Sequence, residues 1–521
     1  MRDHLERLGS IIGNGLHWCG SYSQTIFATW CQMGNWAKKL ATLVVTTGLI
    51  VAPALSSGQI NLPDMGSPAD ALLSKNEENR LGRAIMTQIR ASGEIVEDPQ
   101  ITEYINEIGH RLAAQANQDG SHEFSFFVVD SPVINAFALP GGFIGVHTGL
   151  LEATRSEDEL AGVLAHEVAH VTQRHIARRL HATQRQSILS TAIMLGAILA
   201  GAAGGADSNV MQGAIAVAQG TAAQQQINFT RSNEYEADRI GITALAAAGF
   251  DPQGMASFFE VISRGTTPHE FRVPEFLRTH PVSSARIAEA RGRARNYQPV
   301  HTADSITYGI AKARMIIAGR KTPAAAVAYY EREPYEYQSD VERYGRAVAY
   351  LRAGRNVEAL RIFEELANKD PKIIAYHIGL ADTQLENELI VESLNSFESA
   401  NELFPRNIPL TIHYAKALLR IGDADRAHKM LLDLLNIVPP TPEQVRLIAN
   451  AAIEAGEIAE AHYYMAEYRL MIGDLIGGIN FLRQALAVPN LDEIQRIRFE
   501  ARIDFIREFM TEEQLQRLQR S

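Results

Sequence analysis

From residue 347 to residue 465 the chain repeats itself every 34 residues, and this recurrence restricts its fold more than any other feature. Ala359, Ser393, Ala427 and Ala461 stand one period apart, and Phe363, Phe397, Leu431 and Met465 follow them by four positions. The small residues Ala347, Ala381, Ala415 and Ala449 precede the same anchors by twelve, where two helices must approach closely. Gly354, Gly422 and Gly456 mark turns, and Pro371, Pro405 and Pro439 close the first three units. Thirty-four residues hold two short helices and their turns. Such a pair cannot bury its apolar face alone and must stack on the next pair, so an α-solenoid is expected, with a concave surface for a partner protein. Gly473 and Gly478 repeat the Gly456 and Ala461 pair after 17 residues, so the last helices should stack in half-steps.

The second constraint is Ser156 to His175, SEDELAGVLAHEVAHVTQRH. Ser156 and Glu159 read as a capping box, Glu157 and Asp158 suit a helix start, and Leu160, Val163, Leu164 and Val168 follow at helical spacing. A buried helix is expected. On it His166 and His170 are four residues apart, so both imidazoles project from one face, about 6 Å apart, and can share one ion. Glu167 between them can take a proton from a water that a metal has acidified, the chemistry of H-E-x-x-H zinc proteases. A third histidine on this segment would need a glycine at position 173 and a histidine at position 176, but the chain has Gln173 and Ile176, with His175 one position short. The third ligand is therefore expected from a carboxylate. In the segment Ser232 to Asp238, Glu234 and Asp238 share one helix face, so that one can bind metal while the other holds a supporting hydrogen bond or points into the site. His280, in the Thr279-His280-Pro281 loop, could approach the metal, but on its residues alone it reads as structural. The next helix contains Arg286.

A length of 521 residues with 46% hydrophobic and 21% charged content predicts a globular chain of two or more domains. The net charge of -11 argues against a nucleic-acid surface, and the basic run Arg174, His175, Arg178 and Arg179 reads as a solvated helix face. Both cysteines, Cys19 and Cys31, precede residue 40, so metal ligands must be His, Glu or Asp. Residues 40–54 form an apolar run of signal-peptide length behind Lys38 and Lys39, with small residues suited to cleavage near Ala54 to Ser57. We expect residues 1–56 to be a signal region, translation to begin at Met33, and the mature chain to be exported; an uncleaved anchor is the rival reading. Helices are expected from Ser74 to Asn117, broken at Asp98-Pro99, with Ile101, Tyr104, Ile105, Ile108 and Leu112 facing the core. Residues 124–130 read as a strand, and 136–138 and 143–146 as a hairpin whose edge could hold an extended substrate. The Ala- and Gly-rich segment 187–220 is read as a helical hairpin or lid, with peripheral membrane contact as the alternative; each half is too short to span a bilayer.

With His166-Glu167-Val168-Ala169-His170, the Ser232 to Asp238 segment, the Thr279-His280-Pro281 loop and the repeats in this order, the chain resembles the periplasmic beta-barrel assembly-enhancing proteases. These are zinc metallopeptidases related to the CAAX prenyl proteases and carry tetratricopeptide repeats. The resemblance implies one zinc ion held by His166, His170 and Glu234, with Glu167 as general base and Asp238 as the acid of the second motif. It also implies that His280 can occupy the fourth zinc position and keep the enzyme latent. Asn135 and Arg286 are candidates for supporting a ligand or binding substrate. The implied substrates are unfolded or stalled outer-membrane proteins, with chaperone-like help for those still able to fold, and the repeats would engage the outer-membrane barrel-assembly machinery. The expected architecture is mainly α: a helical, gluzincin-type catalytic domain with a small β-sheet over residues 57–300, then an α-solenoid over 301–521. The alternative is a protein-binding repeat scaffold with an inactive protease fold.

Overall fold

The computed structural model describes residues 74–179, 230–264, 274–436 and 440–520, apart from residues 92, 118, 119, 121, 299, 301, 302 and 509. The expected signal region and the 187–220 segment lie outside the described residues. The first elements are helices α1 (Lys75–Ala91) and α2 (Pro99–Ala116). Asp98 caps α2 by accepting from Gln100 N and Ile101 N, and Pro99 occupies the first turn, where its missing N–H costs nothing. The predicted apolar face, Ile101 to Leu112, is buried.

Three short strands follow, β1 (Ser125–Val129), β2 (Ala136–Ala138) and β3 (Phe143–His147), in the order β1-β3-β2. β2 and β3 form the predicted antiparallel hairpin, whereas β1 runs parallel to β3, so that Phe127, Gly145 and Phe137 share one row. Helix α3 (Thr148–Ala153) leads into α4 (Glu157–Thr172), the helix of the two histidines. Ser156 Oγ accepts from Glu159 N, as the sequence predicts. The reciprocal half of the capping box is absent. The Glu159 carboxylate accepts instead from Arg155 N at 2.7 Å and from Ser257 Oγ at 2.7 Å, because a buried carboxylate is better satisfied by several donors than by one. Every residue of α4 from Glu159 to Ala169 is buried. Helix α2, β2 and α6 (Gln253–Arg264) all pack on it. Glycines on both helices permit the approach of α6: a Cβ at Gly162 would lie 2.8 Å from the Met255 backbone, and one at Gly254 2.3 Å from the Asp158 carbonyl oxygen.

Between α4 and α6 lies α5, residues 230–247, and beyond α6 come α7 (Glu275–Thr279) and α8 (Ser284–Ala294). Helix α9 (Ile306–Ala318) serves two cores. Its Tyr308, Ala311 and Met315 close the core built around α4, while Ile310, Ala313 and Ile317 open the first core of the repeats. The repeat helices start at residues 340, 374, 408 and 442 and their partners at 356, 390, 424 and 458, so the 34-residue period of the sequence is the period of the backbone. Ala347, Ala359, Ala381, Phe397, Ala415, Ala427 and Ala449 are fully buried. Gly354, Gly422 and Gly456 take positive φ at the turns, and Glu388 stands in the same register at φ 60.

The repeats lean on the protease domain rather than standing free of it. Arg314 pairs with Asp98 at 2.6 Å and bonds Tyr344 Oη, which donates to Gln100 Oε1; further along, Asn407 Nδ2 reaches Glu103 and Arg90 donates to the Met471 carbonyl. Part of the repeat surface is therefore covered by the chain's own helices α1 and α2. No helix of the described residues is long and apolar enough to cross a membrane.

Candidate active site

Three separate elements bring four donor side chains together. His166 and His170 come from α4, Glu234 from α5, and His280 from the end of α7; their ligand atoms all lie within 4.8 Å of one another. His166 Nε2 is 3.0 Å from His170 Nε2, 3.2 Å from His280 Nδ1 and 3.4 Å from Glu234 Oε2. Glu234 Oε1 is 3.5 Å from His170 Nε2, and its Oε2 is 3.2 Å from His280 Nδ1. A tetrahedron of donors at about 2.1 Å from a metal has edges of about 3.4 Å, so these five pairings come close to the edges of one tetrahedral site. The chemistry of the surroundings agrees. Three buried carboxylates, Glu167, Glu234 and Asp238, face one buried guanidinium, Arg286, which leaves the formal charge of a dication uncompensated.

Glu167 is 1% exposed, neither of its oxygens accepts a hydrogen bond among the described residues, and His280 Nε2 lies 3.4 Å from Oε1. A carboxylate buried without a hydrogen bond is costly unless its function requires the oxygens free. Helix α4 places Glu167 there for a local reason: it follows His166 directly and so flanks the face that the two imidazoles share.

Behind the cluster, Asp238 Oδ1 lies 3.0 Å from His166 Nδ1. Arg286 grips Asp238 with two bonds of 2.7 Å, donates to Glu234 Oε2 at 2.9 Å and to the Pro281 carbonyl at 2.8 Å, and lies over the Phe259 ring. One guanidinium thus holds both acids of α5 and the backbone beside His280. The i,i+4 acids, left interchangeable by their spacing, are distinguished here: Glu234 faces the histidines and Asp238 stands behind His166.

The electrostatics follow from this arrangement. Burial alone would lower the His166 pKa, but Asp238 and Glu234 more than offset it and hold it at about 9. A cation among the four donors would take the place of that proton in balancing the two carboxylates. Burial pushes His170 well below the ordinary histidine range, helped by His166. For Glu234 burial opposes ionisation, yet His166 and His280 hold its pKa far below the usual carboxylate range; Asp238 is lowered against burial by His166 and Arg286.

His280 is buried in the cluster; its own residue context reads as structural, whereas the family resemblance implies a place at the metal. Asn135 lies at the entry of β2, with its carbonyl accepting from His147 N at 3.0 Å and its Oδ1 without a partner among the described residues. Residue spacing gave no sign of a role for His175 and Glu236, which the structure joins to His170. His175 Nδ1 is 2.8 Å from His170 Nδ1, and its Nε2 is 3.2 Å from Glu236 Oε2. The only signal was the failed third-histidine position and an acid between Glu234 and Asp238.

Residues 99–294 match peptidase family M48, and residues 384–451 match a tetratricopeptide repeat family. The beta-barrel assembly-enhancing protease of Escherichia coli (strain K12) is 34% identical over 478 residues, 90% of this chain and 96% of the relative. That of Yersinia pestis is 33% identical over 482 residues, 90% of this chain and 97% of the relative. The mitochondrial metalloendopeptidase OMA1 of Arabidopsis thaliana is 29% identical over 230 residues, 43% of this chain and 42% of the relative.

Proposed function

The chain belongs to the M48 metallopeptidases, among the beta-barrel assembly-enhancing proteases, and from that premise we propose that it is an exported zinc endopeptidase of outer-membrane protein quality control. The observation that carries this reading is the buried cluster of four donors beside a glutamate whose oxygens accept no hydrogen bond among the described residues. His166, His170 and Glu234 would hold zinc, for which two imidazoles and a carboxylate are a usual protein donor set in a catalytic site. Bound there, the metal would supply a water acidified to a pKa of about 7. Glu167 would be the base for that water, and among the described residues its oxygens accept no hydrogen bond that would have to be broken first. Asp238 orients His166, and Arg286 positions Asp238 and Glu234 together.

His280 is the latch. Its Nδ1 sits where a fourth donor would, so the enzyme rests closed until α7 moves. An extended substrate adds as a strand beside β2, which packs on α4. Helix α7 is fastened near that edge by Phe276 N, which donates to the Ile134 carbonyl at 3.2 Å, so strand addition and latch release compete for neighbouring groups. We assign residues 1–56 to the export signal, 57–300 to the protease and 301–521 to the repeats. The substrates are unfolded or stalled outer-membrane proteins in the periplasm, with chaperone-like help to those still able to fold. The repeats engage the barrel-assembly machinery.

The test is hydrolysis of an unfolded outer-membrane protein by the purified chain. Glu167→Gln should keep its metal and lose cleavage by about 100-fold or more. His280→Ala at equal metal content should cleave faster and less selectively. Undiminished cleavage by Glu167→Gln rejects the mechanism, and a purified protein that binds no metal returns the chain to the inactive-scaffold reading.

A further inference from the structure

The two histidines of α4 are held from behind in different ways. His166 Nδ1 meets a carboxylate directly, Asp238 Oδ1 at 3.0 Å. His170 Nδ1 meets another imidazole, His175 Nδ1 at 2.8 Å, and the far nitrogen of that ring lies 3.2 Å from Glu236 Oε2. Arg178 Nη1 fixes the same Glu236 oxygen at 2.8 Å. We propose that His175 is a positioning residue of the metal site, relaying the Glu236 carboxylate to His170 and so fixing that ligand's tautomer and orientation. The inference rests on the reading of His170 as a metal ligand.

The hydrogen positions follow from the distances. Two nitrogens 2.8 Å apart share one hydrogen. A metal bound through Nε2 leaves the His170 hydrogen on Nδ1, so His175 Nδ1 accepts. A neutral imidazole then carries its hydrogen on the other nitrogen, and His175 Nε2 donates to Glu236. The opposite tautomer of His175 would set a bare nitrogen against a carboxylate and two N–H groups against each other. Only one arrangement satisfies every atom, and it requires the carboxylate at the far end.

The backbone is shaped to make this contact. On an unbroken helix, residues five apart point about 140° away from each other, so His175 would face away from His170. Helix α4 stops at Thr172, and Arg174 adopts φ 51, a left-handed conformation that residues other than glycine seldom take. Past that residue the chain folds back and lays His175, only 4% exposed, against His170. The acids of one short segment are thereby divided in function: Glu234 faces the metal, Asp238 supports His166, and Glu236 supports His170 through His175.

Metal affinity of the full-length protein, measured by competition with a chromophoric chelator for zinc and for cobalt(II), tests the relay. His170→Ala should lose tight binding altogether. His175→Leu, which removes acceptor and donor, should bind metal about 10- to 100-fold more weakly and shift the visible cobalt(II) bands. His175→Gln, with one acceptor and one donor on a side chain of similar reach, should recover most of that affinity. Glu236→Ala should weaken binding, yet the double variant His175→Leu/Glu236→Ala should be no weaker than His175→Leu alone, because the carboxylate acts only through the ring. Thermal unfolding of the metal-free forms identifies a variant that does not fold, in which case His175→Gln and Glu236→Ala decide the matter. Unchanged affinity in a folded His175→Leu, or additive losses in the double variant, overturns the relay. Unchanged affinity in His170→Ala overturns the ligand assignment instead.

Discussion

Helix α4 and the repeat helix Ile390–Leu403 are both covered by neighbouring helices, but they bury opposite chemistry. The repeat helix buries Ser393, Phe397 and Ala400, and the ring of Phe397 stacks on Tyr414 at 5.2 Å. Helix α4 buries His166 and Glu167, at 0% and 1% exposure, against Glu234, Asp238, Arg286 and His280. An apolar interior is satisfied by whatever apolar unit comes next, so the repeats can extend by stacking. A charged interior is satisfied only by particular opposite groups, and these arrive from 68 to 120 residues beyond His166. The same kind of helix packing therefore gives a scaffold in one half and a reactive centre in the other.

Arg286→Met should produce the largest effect. It leaves Glu234 and Asp238 buried without their guanidinium, which typically costs about 3–5 kcal/mol, and the metal-free protein should show a correspondingly lower unfolding midpoint. If the midpoint hardly moved, the protease interior would not depend on charge compensation. Phe397→Ala should come next, at about 3 kcal/mol for a buried ring lost from an apolar core. Its unfolding should be confined to the repeats, with the metal content per molecule unchanged; loss of metal would show the two interiors to be coupled.

A smaller, pH-dependent effect belongs to the seam between the halves. Burial raises the Glu103 pKa to about 7, with the Asn407 bond only partly opposing it, against an ordinary value of 4.5. The folded state thus disfavours the ionised form, so this group's contribution is full below 4.5 and is lost as the pH rises through about 7. Glu103→Gln should be more stable than the wild type by about 1–2 kcal/mol at pH ~8 and nearly equal to it at pH ~5, as read from unfolding midpoints. A gap independent of pH would place the effect in packing. The smallest change is Glu388→Gly, which relieves a left-handed residue at a turn where neighbouring repeats use glycine and should stabilise the solenoid by about 0.5 kcal/mol. A loss of stability would mean that the Glu388 side chain contributes more than its backbone costs.

The repeats could be read from sequence because each contact there joins residues a fixed distance apart. Ala347 and Ala359 meet within one unit, and the next unit repeats the geometry. For the same reason the H-E-x-x-H pair was legible, since helical rise and turn alone put His166 beside His170. Asp98-Pro99 likewise announced a helix boundary, yet not that Asp98 would also pair with Arg314 across 216 residues.

By itself the sequence determined the spacing of the repeats, the two imidazoles on one face, the acid between them and a pair of acids four residues apart. Only the tertiary structure decided which acid faces the histidines, brought His280 into the cluster and turned His175 back toward His170. The reason is physical. Local geometry is set by backbone stereochemistry, whereas the pairing of distant charges is settled by their common burial, where each group needs a partner that no rule of spacing supplies.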